Sequence, residues 1–227
     1  QVLVAEDLRV MVEDRVLLDR FKGVVRKNDV IGLVGPNGTG KSTLIATMLG
    51  EREAAAGRTR IGDATTLAVY RQDLGQVPQE QSLYDIIAGM RPMWNRGAIQ
   101  GHLGAFGFSG DTVLRRASSL SGGERARMAL SMMVLDNANL LIFDEPTNHL
   151  DVESIEVLED ALGAWGGTVL LVSHDRALLE ALVTRVWVLH QGRITDYPGT
   201  FVEWEEASKE REHAAAVAAA EDESNRR

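Results

Sequence analysis

The sequence contains no cysteine. That absence excludes a disulfide framework, a thiolate metal site and a cysteine nucleophile, and it is typical of a reducing compartment, so we expect a cytoplasmic location. Long apolar runs are also missing, since none approaches the ~18 residues that a membrane-spanning helix requires. No signal or transit segment is recognisable at the start. Because the sequence opens on Gln1 rather than Met, we expect a piece of a longer protein.

Basic residues are comparatively few. The chain has 24 Lys and Arg against 33 Asp and Glu, which gives a formal net charge of -9. This balance argues against a broad surface for nucleic-acid phosphates but leaves room for a local basic patch. With 227 residues, the chain is long enough for one large α/β domain, alone or with a small subdomain.

Strand and helix patterns alternate along most of the chain. Short apolar segments between residues 2 and 28 predict a small antiparallel sheet, and five glycines between residues 97 and 110 indicate short, interrupted helices. Further strands are predicted at residues 30–34, 139–144, 168–172, 186–190 and 193–195, and helices at residues 41–50, 121–135 and 152–162. Such alternation predicts a mostly parallel sheet that is covered by helices.

The composition changes near Phe201. Residues 203–227 are rich in Glu, Lys, Arg and Ala, and Ala strongly favours helix. A helix of this kind is marginal in isolation. We therefore expect a domain over residues 1–200, with a helical subdomain at about 73–135, and a charged helical linker or the start of a coiled segment over residues 201–227.

A glycine-rich loop follows the predicted strand at residues 30–34. Residues 35–42 match the phosphate-loop pattern G-x-x-x-x-G-K-S without exception. Glycines let backbone N–H groups converge on phosphate oxygens, Lys41 would reach the β- and γ-phosphates, and the Ser42 hydroxyl would hold Mg²⁺. A chance glycine turn is disfavoured because a strand precedes the loop and a helix follows it. The candidate nucleotide-binding residues are Gly35, Asn37, Gly38, Thr39, Gly40, Lys41, Ser42 and Thr43.

Two carboxylates end the apolar strand at residues 139–144. Asp144 would hold Mg²⁺, and Glu145 would lie beyond the strand end, where a base can polarise the attacking water. Taken alone, the pair reads equally well as a solvated acidic turn before Pro146. The phosphate loop upstream favours the metal and base interpretation.

Residues 121–124 read Ser-Gly-Gly-Glu. This spacing predicts a capping box, in which Ser121 and Glu124 close the start of a helix. The same element also presents free backbone N–H groups to an anion. Both interpretations are compatible with each other.

In this order, the phosphate loop, residues 120–124, Asp144-Glu145 and residues 173–175 resemble the ATP-binding cassette (ABC) superfamily over residues 2–200. The resemblance implies an α/β fold: a phosphate-loop ATPase core with a mostly parallel sheet, an N-terminal antiparallel β subdomain and a helical signature subdomain. It also implies that ATP and Mg²⁺ are bound and that two cassettes pair head to tail. Ser121, Gly122 and Gly123 of one cassette would then cover the ATP that the other holds.

The resemblance implies three further roles. Gln72 corresponds to the family's glutamine near Mg²⁺ and the attacking water, and His174 corresponds to its histidine at the γ-phosphate. Asp151 corresponds to an aspartate of the inter-domain loop, although it could simply cap the helix that follows. One departure concerns the base: residues 10–15 contain no aromatic residue to stack on adenine, so packing by Val12 or a contact from Arg15 would have to replace it.

Residues 146–151, Glu124 in place of glutamine, and residues 197–201 resemble the ABC-F subfamily. These are soluble twin-cassette ATPases without membrane domains, and many act on the ribosome as translation or antibiotic-resistance factors. The resemblance implies a second cassette, in cis or as a homodimer, a ribosome or ribosomal-RNA partner, and nucleic-acid contacts through regions outside this chain. Few residues separate Gln72 from Ser121 in the sequence, which leaves little room for the extra helical arm that the first cassette of such proteins often carries there. The resemblance therefore favours the second cassette.

Three alternatives share the phosphate chemistry. A transporter motor subunit would need a membrane partner, and residues 146–151 argue against it. A DNA-associated repair or recombination ATPase usually carries large zinc or coiled-coil insertions, which this compact chain lacks. A regulatory cassette that binds ATP without turnover is disfavoured by the intact Lys41, Asp144, Glu145 and His174.

Overall fold

The computed structural model describes residues 1–70, 77–147 and 150–225. Its strands are β1 (Leu3–Val12), β2 (Arg15–Val25), β3 (Val30–Val34), β4 (Ala56–Ile61), β5 (Leu67–Tyr70), β6 (Leu140–Asp144), β7 (Thr168–Val172), β8 (Arg185–His190) and β9 (Arg193–Tyr197). Its α-helices are α1 (Lys41–Met48), α2 (Leu83–Met90), α3 (Arg96–Ala105), α4 (Gly122–Leu135), α5 (Val152–Trp165), α6 (Arg176–Leu182) and α7 (Phe201–Asn225). Short 3-10 turns lie at Gly110–Leu114 and Ala117–Ser119.

The central sheet has the strand order β5-β6-β7-β3-β8-β9. Every pairing is parallel except that of β8 with β9, which form a hairpin through Gln191 and Gly192. Both turn residues have positive φ, as a two-residue hairpin with right-handed twist requires. The predicted parallel sheet, with helices on it, is confirmed.

Alternate residues of the central strands enter two different cores. Leu141 and Phe143 of β6 pack with α2–α6, whereas Leu140 and Ile142 of the same strand pack with α1 and the N-terminal strands. A strand that is buried on both faces needs a continuous apolar run, which β6 and β7 both have. The sheet thus separates a helical layer from an N-terminal layer.

The N-terminal layer is an antiparallel sheet of order β2-β1-β4. Its first two strands confirm the predicted antiparallel segments, but the four short runs merge into two long strands with register shifts near Asp7 and Arg20. The strand β4 was not predicted, because its polar stretch has a weak strand pattern and is held by pairing with β1. The strand β5 was not predicted either.

The expectation that glycines interrupt the helices at residues 97–110 was partly wrong. Gly97, Gly101 and Gly104 lie inside α3, which Asn95 caps by accepting a hydrogen bond from the Ala98 N–H at 2.9 Å. Burial of Ile99 and Leu103 supports the helix despite its glycines. Gly107 and Gly110 do lie outside it, both with positive φ.

The C-terminal helix α7 begins at Phe201, where the composition changes. Phe201 is buried and Trp204 is half-buried against the helical core. Trp187 is fully buried in the N-terminal core, as expected of a tryptophan in β8. Among the helices of the described residues, none combines the length and the apolar character needed to cross a membrane.

Candidate nucleotide site

Three strand ends converge at one edge of the central sheet. The phosphate loop follows β3, Asp144 ends β6, and Ser173-His174 follow β7. Because β6, β7 and β3 are adjacent and parallel, their carboxyl ends meet at this edge. The fold therefore brings the predicted phosphate-binding loop and the predicted carboxylates together at this edge.

A cavity of about 620 Å³ opens at this edge. Six of the eight predicted phosphate-loop residues line it: Asn37, Gly38, Gly40, Lys41, Ser42 and Thr43. Glu145 and His174 also line it, whereas Gly35 and Thr39 form the loop behind it. The cavity is large enough for a small organic ligand with a phosphate chain.

The start of α1 presents unsatisfied donors to the cavity. Gly40 is its N-cap residue, with φ +98 and no side chain to cap the helix, and the first turn carries no acidic residue. The positive φ favours glycine at this position, and a Cβ there would lie 2.6 Å from Leu17 Cδ1, which would have to move. The free N–H groups at this helix start favour an anion.

Lys41 is buried, with 7% of its surface exposed. Its Nζ donates to the carbonyl oxygens of Gly35 at 2.9 Å and Pro36 at 3.2 Å, and it lies 3.3 Å from His174 Nε2. Thr39 Oγ1 donates to the same Pro36 carbonyl at 2.8 Å. The loop therefore holds the ammonium group at its centre.

Glu145 has an unusual backbone for its residue type. Its φ is +51, in the left-handed region, and its N–H donates to the Val172 carbonyl at 2.8 Å. Its Oε1 lies 3.3 Å from His174 Nε2. Backbone strain of this kind is concentrated at functional sites. One imidazole nitrogen thus stands between the Lys41 ammonium and the Glu145 carboxylate.

Asp144 has a buried carboxylate oxygen, Oδ1, without a hydrogen-bond partner among the described residues. An unpartnered buried carboxylate oxygen is costly, and a cation at the site would satisfy it. Within the described residues, no group of three or more His, Asp and Glu side chains could hold a metal. Mg²⁺ is commonly bound through one or two carboxylates and substrate phosphates, so the Asp144 oxygen alone is compatible with it.

The predicted capping box is present at the start of α4. The Glu124 N–H donates to Ser121 Oγ at 3.2 Å, and the Ser121 N–H donates to Glu124 Oε2 at 2.8 Å. That bond from Ser121, with help from Arg115, lowers the pKa of Glu124. Ser121 and Gly122 are exposed and, like Gly123, do not line the cavity.

Asp151 caps α5 and also touches the Ser-Gly-Gly-Glu element. It accepts a hydrogen bond from the Ser154 N–H at 2.9 Å, and hydrogen bonds from Ser154 lower its pKa. A Cβ on Gly123 would lie 2.8 Å from Asp151 Oδ2. Asp151 is therefore near the start of α4 and does not line the phosphate cavity.

Arg127 of α4 contacts the start of α5 and the Phe108 ring, and it was not predicted from the sequence. Its guanidinium is buried, donates to Ser154 Oγ at 3.2 Å and lies over the Phe108 ring at 5.7 Å. It also approaches Glu153 at 3.5 Å. The first half of α4 carries three charged residues, Glu124, Arg125 and Arg127, and the sequence alone does not show that Arg127 is the buried one. The cavity lining by Glu13 and Leu17 was also missed, because no motif marks a hairpin wall.

Gln72, Asn148 and His149 lie outside the described residues. The predicted role of Gln72 near Mg²⁺ and water therefore stays a prediction.

Comparison with known families decides the class of this site. The family model for the ABC transporter matches residues 18–148, more than half of the chain. The chain belongs to the ABC transporter family. As an ABC ATPase domain, it binds and hydrolyses ATP. The predicted resemblance is confirmed.

Three relatives are similar to most of this chain. The putative ATP-binding protein YdiF of Bacillus subtilis is 40% identical over 202 residues, 88% of this chain and 32% of the relative. ABC transporter F family member 5 of Arabidopsis thaliana is 35% identical over 191 residues, 83% of this chain and 28% of the relative. The energy-dependent translational throttle protein EttA of Escherichia coli is 32% identical over 214 residues, 92% of this chain and 39% of the relative. The chain spans about a third of the length of these relatives.

A solved structure supports the fold of this ABC domain. The structure of cbiO1 from Clostridium perfringens, described as part of the ABC transporter complex cbiONQ, superposes with a TM-score of 0.68. It is 21% identical and covers 87% of this chain and 88% of its own. The likeness concerns the fold alone.

Proposed function

We propose that this cassette switches by closing on a second cassette when ATP binds and reopening after hydrolysis, and that the complete protein acts on the ribosome in translation. One observation supports the switching: residues 121–123 do not line the phosphate cavity of their own cassette. Ser121, Gly122 and Gly123 therefore cannot cover the cavity's own nucleotide in the observed arrangement. Ser121 and Gly122 remain exposed for a nucleotide held by another cassette.

The hydrolytic roles follow from the charges at the cavity. The N–H groups at the start of α1 and the Lys41 ammonium bind the phosphate chain and balance its charge. Glu145 takes the proton of the attacking water, since its carboxylate is held at the strand end beside the cavity. His174, 3.3 Å from both Lys41 Nζ and Glu145 Oε1, orients these two groups toward the terminal phosphate.

Mg²⁺ fits the residues that are present. Asp144, through its unpartnered Oδ1, and the exposed Ser42 hydroxyl at the start of α1 would hold it. When bound, the ion would neutralise charge on the β- and γ-phosphates. Gln72 is proposed as a further contact, as in the family resemblance.

The ribosomal role rests on the relatives. EttA is named as a translational throttle protein, and its similarity to this chain extends over 92% of this chain and 39% of EttA. A cytoplasmic location, a ribosome or ribosomal-RNA partner, and residues 201–227 as a linker or coiled segment complete the proposal. Nucleic-acid contacts through other parts of the protein belong to it as well.

The closure step can be tested with Glu145→Gln, which retains the side-chain shape but cannot act as a base. We expect Mg-ATP to convert this variant from monomer to dimer in sedimentation velocity, and we expect turnover to fall at least 100-fold. Glu53→Gln, an exposed acid elsewhere, is the matched control and should keep wild-type turnover. Normal ATP hydrolysis by Glu145→Gln would refute the assigned base.

The partner can be tested in the full-length protein. We expect ribosomes to retain the Glu145→Gln protein in sucrose gradients with ATP and to release it without ATP. Unchanged migration in both conditions would argue against ribosomal action. Co-purification with a membrane protein would instead support a transporter motor, and retention on DNA would support a DNA-associated ATPase.

A further inference from the structure

The end of the cavity formed by the β1–β2 hairpin has an unusual lining. Val12, Glu13, Arg15 and Leu17 come from this hairpin, and they line the cavity together with the phosphate loop. With the phosphates on the loop beside Glu145 and His174, the hairpin wall is the remaining lining against which a base would lie. None of the described lining residues is Phe, Tyr or Trp. Among the described lining residues, the groups open to a base are therefore those of the hairpin.

Arg15 is the planar group at this wall. Among the described residues it makes no ion pair and no side-chain hydrogen bond, and it is exposed. Two other arginines of the same sheet are engaged: Arg9 lies 3.5 Å from Asp19, and Arg58 lies 2.6 Å from Glu6. A free guanidinium is flat and delocalised, and it stacks on aromatic faces. Arg15 is thus available to a base.

We propose that Arg15 stacks on the purine of the bound nucleotide, that Val12 and Leu17 supply the apolar contact, and that the site accepts guanine nucleotides about as readily as adenine nucleotides. The inference rests on nucleotide binding by this cassette and adds its base specificity. Stacking uses the π-face, which both purines share, and reads no edge of the base.

Weak discrimination follows from the exposure of the polar lining. A site rejects a wrong base strongly when its buried polar groups are left unpaired. Glu13 and Arg15 are both exposed, so water satisfies them when a base does not. The Glu13 carboxylate can accept a hydrogen bond from the amino group of either purine. Neither purine leaves a buried group without a partner here.

The test measures equilibrium binding of three ligands to the intact chain: ATP, GTP and inorganic triphosphate. We expect dissociation constants for ATP and GTP within about threefold of each other. Arg15→Ala should weaken both nucleotides by about fivefold, the size of an exposed cation–π contact, and should leave triphosphate binding unchanged. Arg15→Tyr should restore nucleotide binding, because a ring replaces the guanidinium plane.

Two further variants distinguish stacking from charge. Arg15→Lys keeps the positive charge without the plane and should bind nucleotides like Arg15→Ala. Arg60→Ala removes an exposed arginine of β4 outside this cavity and should change none of the three affinities. Equal weakening of triphosphate and nucleotides by Arg15→Ala would overturn the inference, since Arg15 would then act on phosphate. Wild-type binding by Arg15→Lys would overturn it as well.

A tenfold or larger preference for ATP over GTP, with triphosphate still bound, would overturn the base-specificity inference alone. Failure of the wild-type chain to bind any of the three ligands would overturn the nucleotide site itself, and the inference with it. These two failures are therefore distinguishable in one set of titrations.

Discussion

Gly123 is a residue whose missing side chain has a structural reason. A Cβ there would lie 2.8 Å from Asp151 Oδ2 and 2.9 Å from Ser154 Oγ, and Ser154 is fully buried. We expect Gly123→Ala to lower the free energy of unfolding by about 1–3 kcal/mol through overpacking. Urea unfolding measures this loss.

The neighbouring Gly122 provides the control. A Cβ at Gly122 would meet no atom within 4 Å, so Gly122→Ala should change the free energy of unfolding by less than about 0.5 kcal/mol. Equal losses from the two substitutions would show that helix-start conformation, and not contact with Asp151, requires glycine. The pair therefore isolates the contact between α4 and the start of α5.

His102 gives the protein a pH-dependent stability. Burial lowers the pKa of its imidazole, which lies between Trp94 and Phe106 with Nε2 2.9 Å from the Ser131 carbonyl. The unfolded chain therefore binds the proton first. The stabilising contribution of His102 is complete above its unfolded pKa of ~6.5 and is lost as pH falls toward the folded value.

His102→Gln should consequently flatten the dependence of unfolding free energy on pH between about pH 7 and pH 5. Chemical denaturation at several pH values measures the slope. His190→Gln, at the exposed end of β8, is the matched variant and should keep the wild-type slope. A His102→Gln slope identical to that of wild type would contradict this assignment.

At the scale of elements, α3 contains glycines at positions where the structure has room for a larger residue. A Cβ at Gly101 would meet nothing within 4 Å, and its φ is not in the left-handed region. We expect Gly101→Ala to raise the free energy of unfolding by about 0.5–1 kcal/mol, because alanine loses less backbone entropy in a helix. Gly107→Ala, at φ +80 just beyond the helix, should be destabilising in the same urea titration. A gain from Gly107→Ala would contradict the structure of this helix end.

Elements with local chemical boundaries were predictable from the sequence. The helix after the phosphate loop begins at Lys41, and Gly50 follows its end at φ +74, as the glycine suggested. The helix α4 begins where Ser121 and Glu124 predicted. By contrast, β4 depends on pairing with β1, and α3 depends on burial of Ile99 and Leu103. Such tertiary stabilisation leaves no periodic mark that outweighs polar residues or glycines.

The candidate site divides in the same way. The phosphate loop and the two carboxylates were predictable because each motif is contiguous and follows a strand. The proximity of Lys41, His174 and Glu145 required the strand order β6-β7-β3, which local sequence does not encode. Arg127 and the hairpin wall depend on packing between distant segments, and no motif identifies them.

At the scale of the whole molecule, α7 is attached to the cassette by few contacts. Phe201 is buried, Trp204 is half-buried, and Glu205 pairs with Arg176 at 2.7 Å. We expect Phe201→Ala to lower the free energy of detaching α7 from the cassette by about 3 kcal/mol. Hydrogen exchange should then show loss of protection in α7 while the amides of β3 and β7 keep theirs.

Val202→Ala is the control for this detachment. Val202 is 39% exposed and lies beside Phe201 in the same turn, so its truncation should leave α7 protection unchanged. Global loss of protection in Phe201→Ala would contradict the separate stability of α7. Because Arg176 follows His174 by two residues, the Glu205 pair also links this helix to the cavity edge.

The strand order has a consequence in time as well as in space. The central strand β3 is synthesised before most of the cassette, yet its two neighbours, β7 and β8, lie at residues 168–172 and 185–190. A nascent chain can pair β1 with β2 at once, but β3 stays without sheet partners until nearly the whole cassette has been made. Pairings between distant segments form slowly and leave apolar strands exposed meanwhile. The apolar residues of β3 are therefore the part of the newborn chain in greatest need of protection from aggregation.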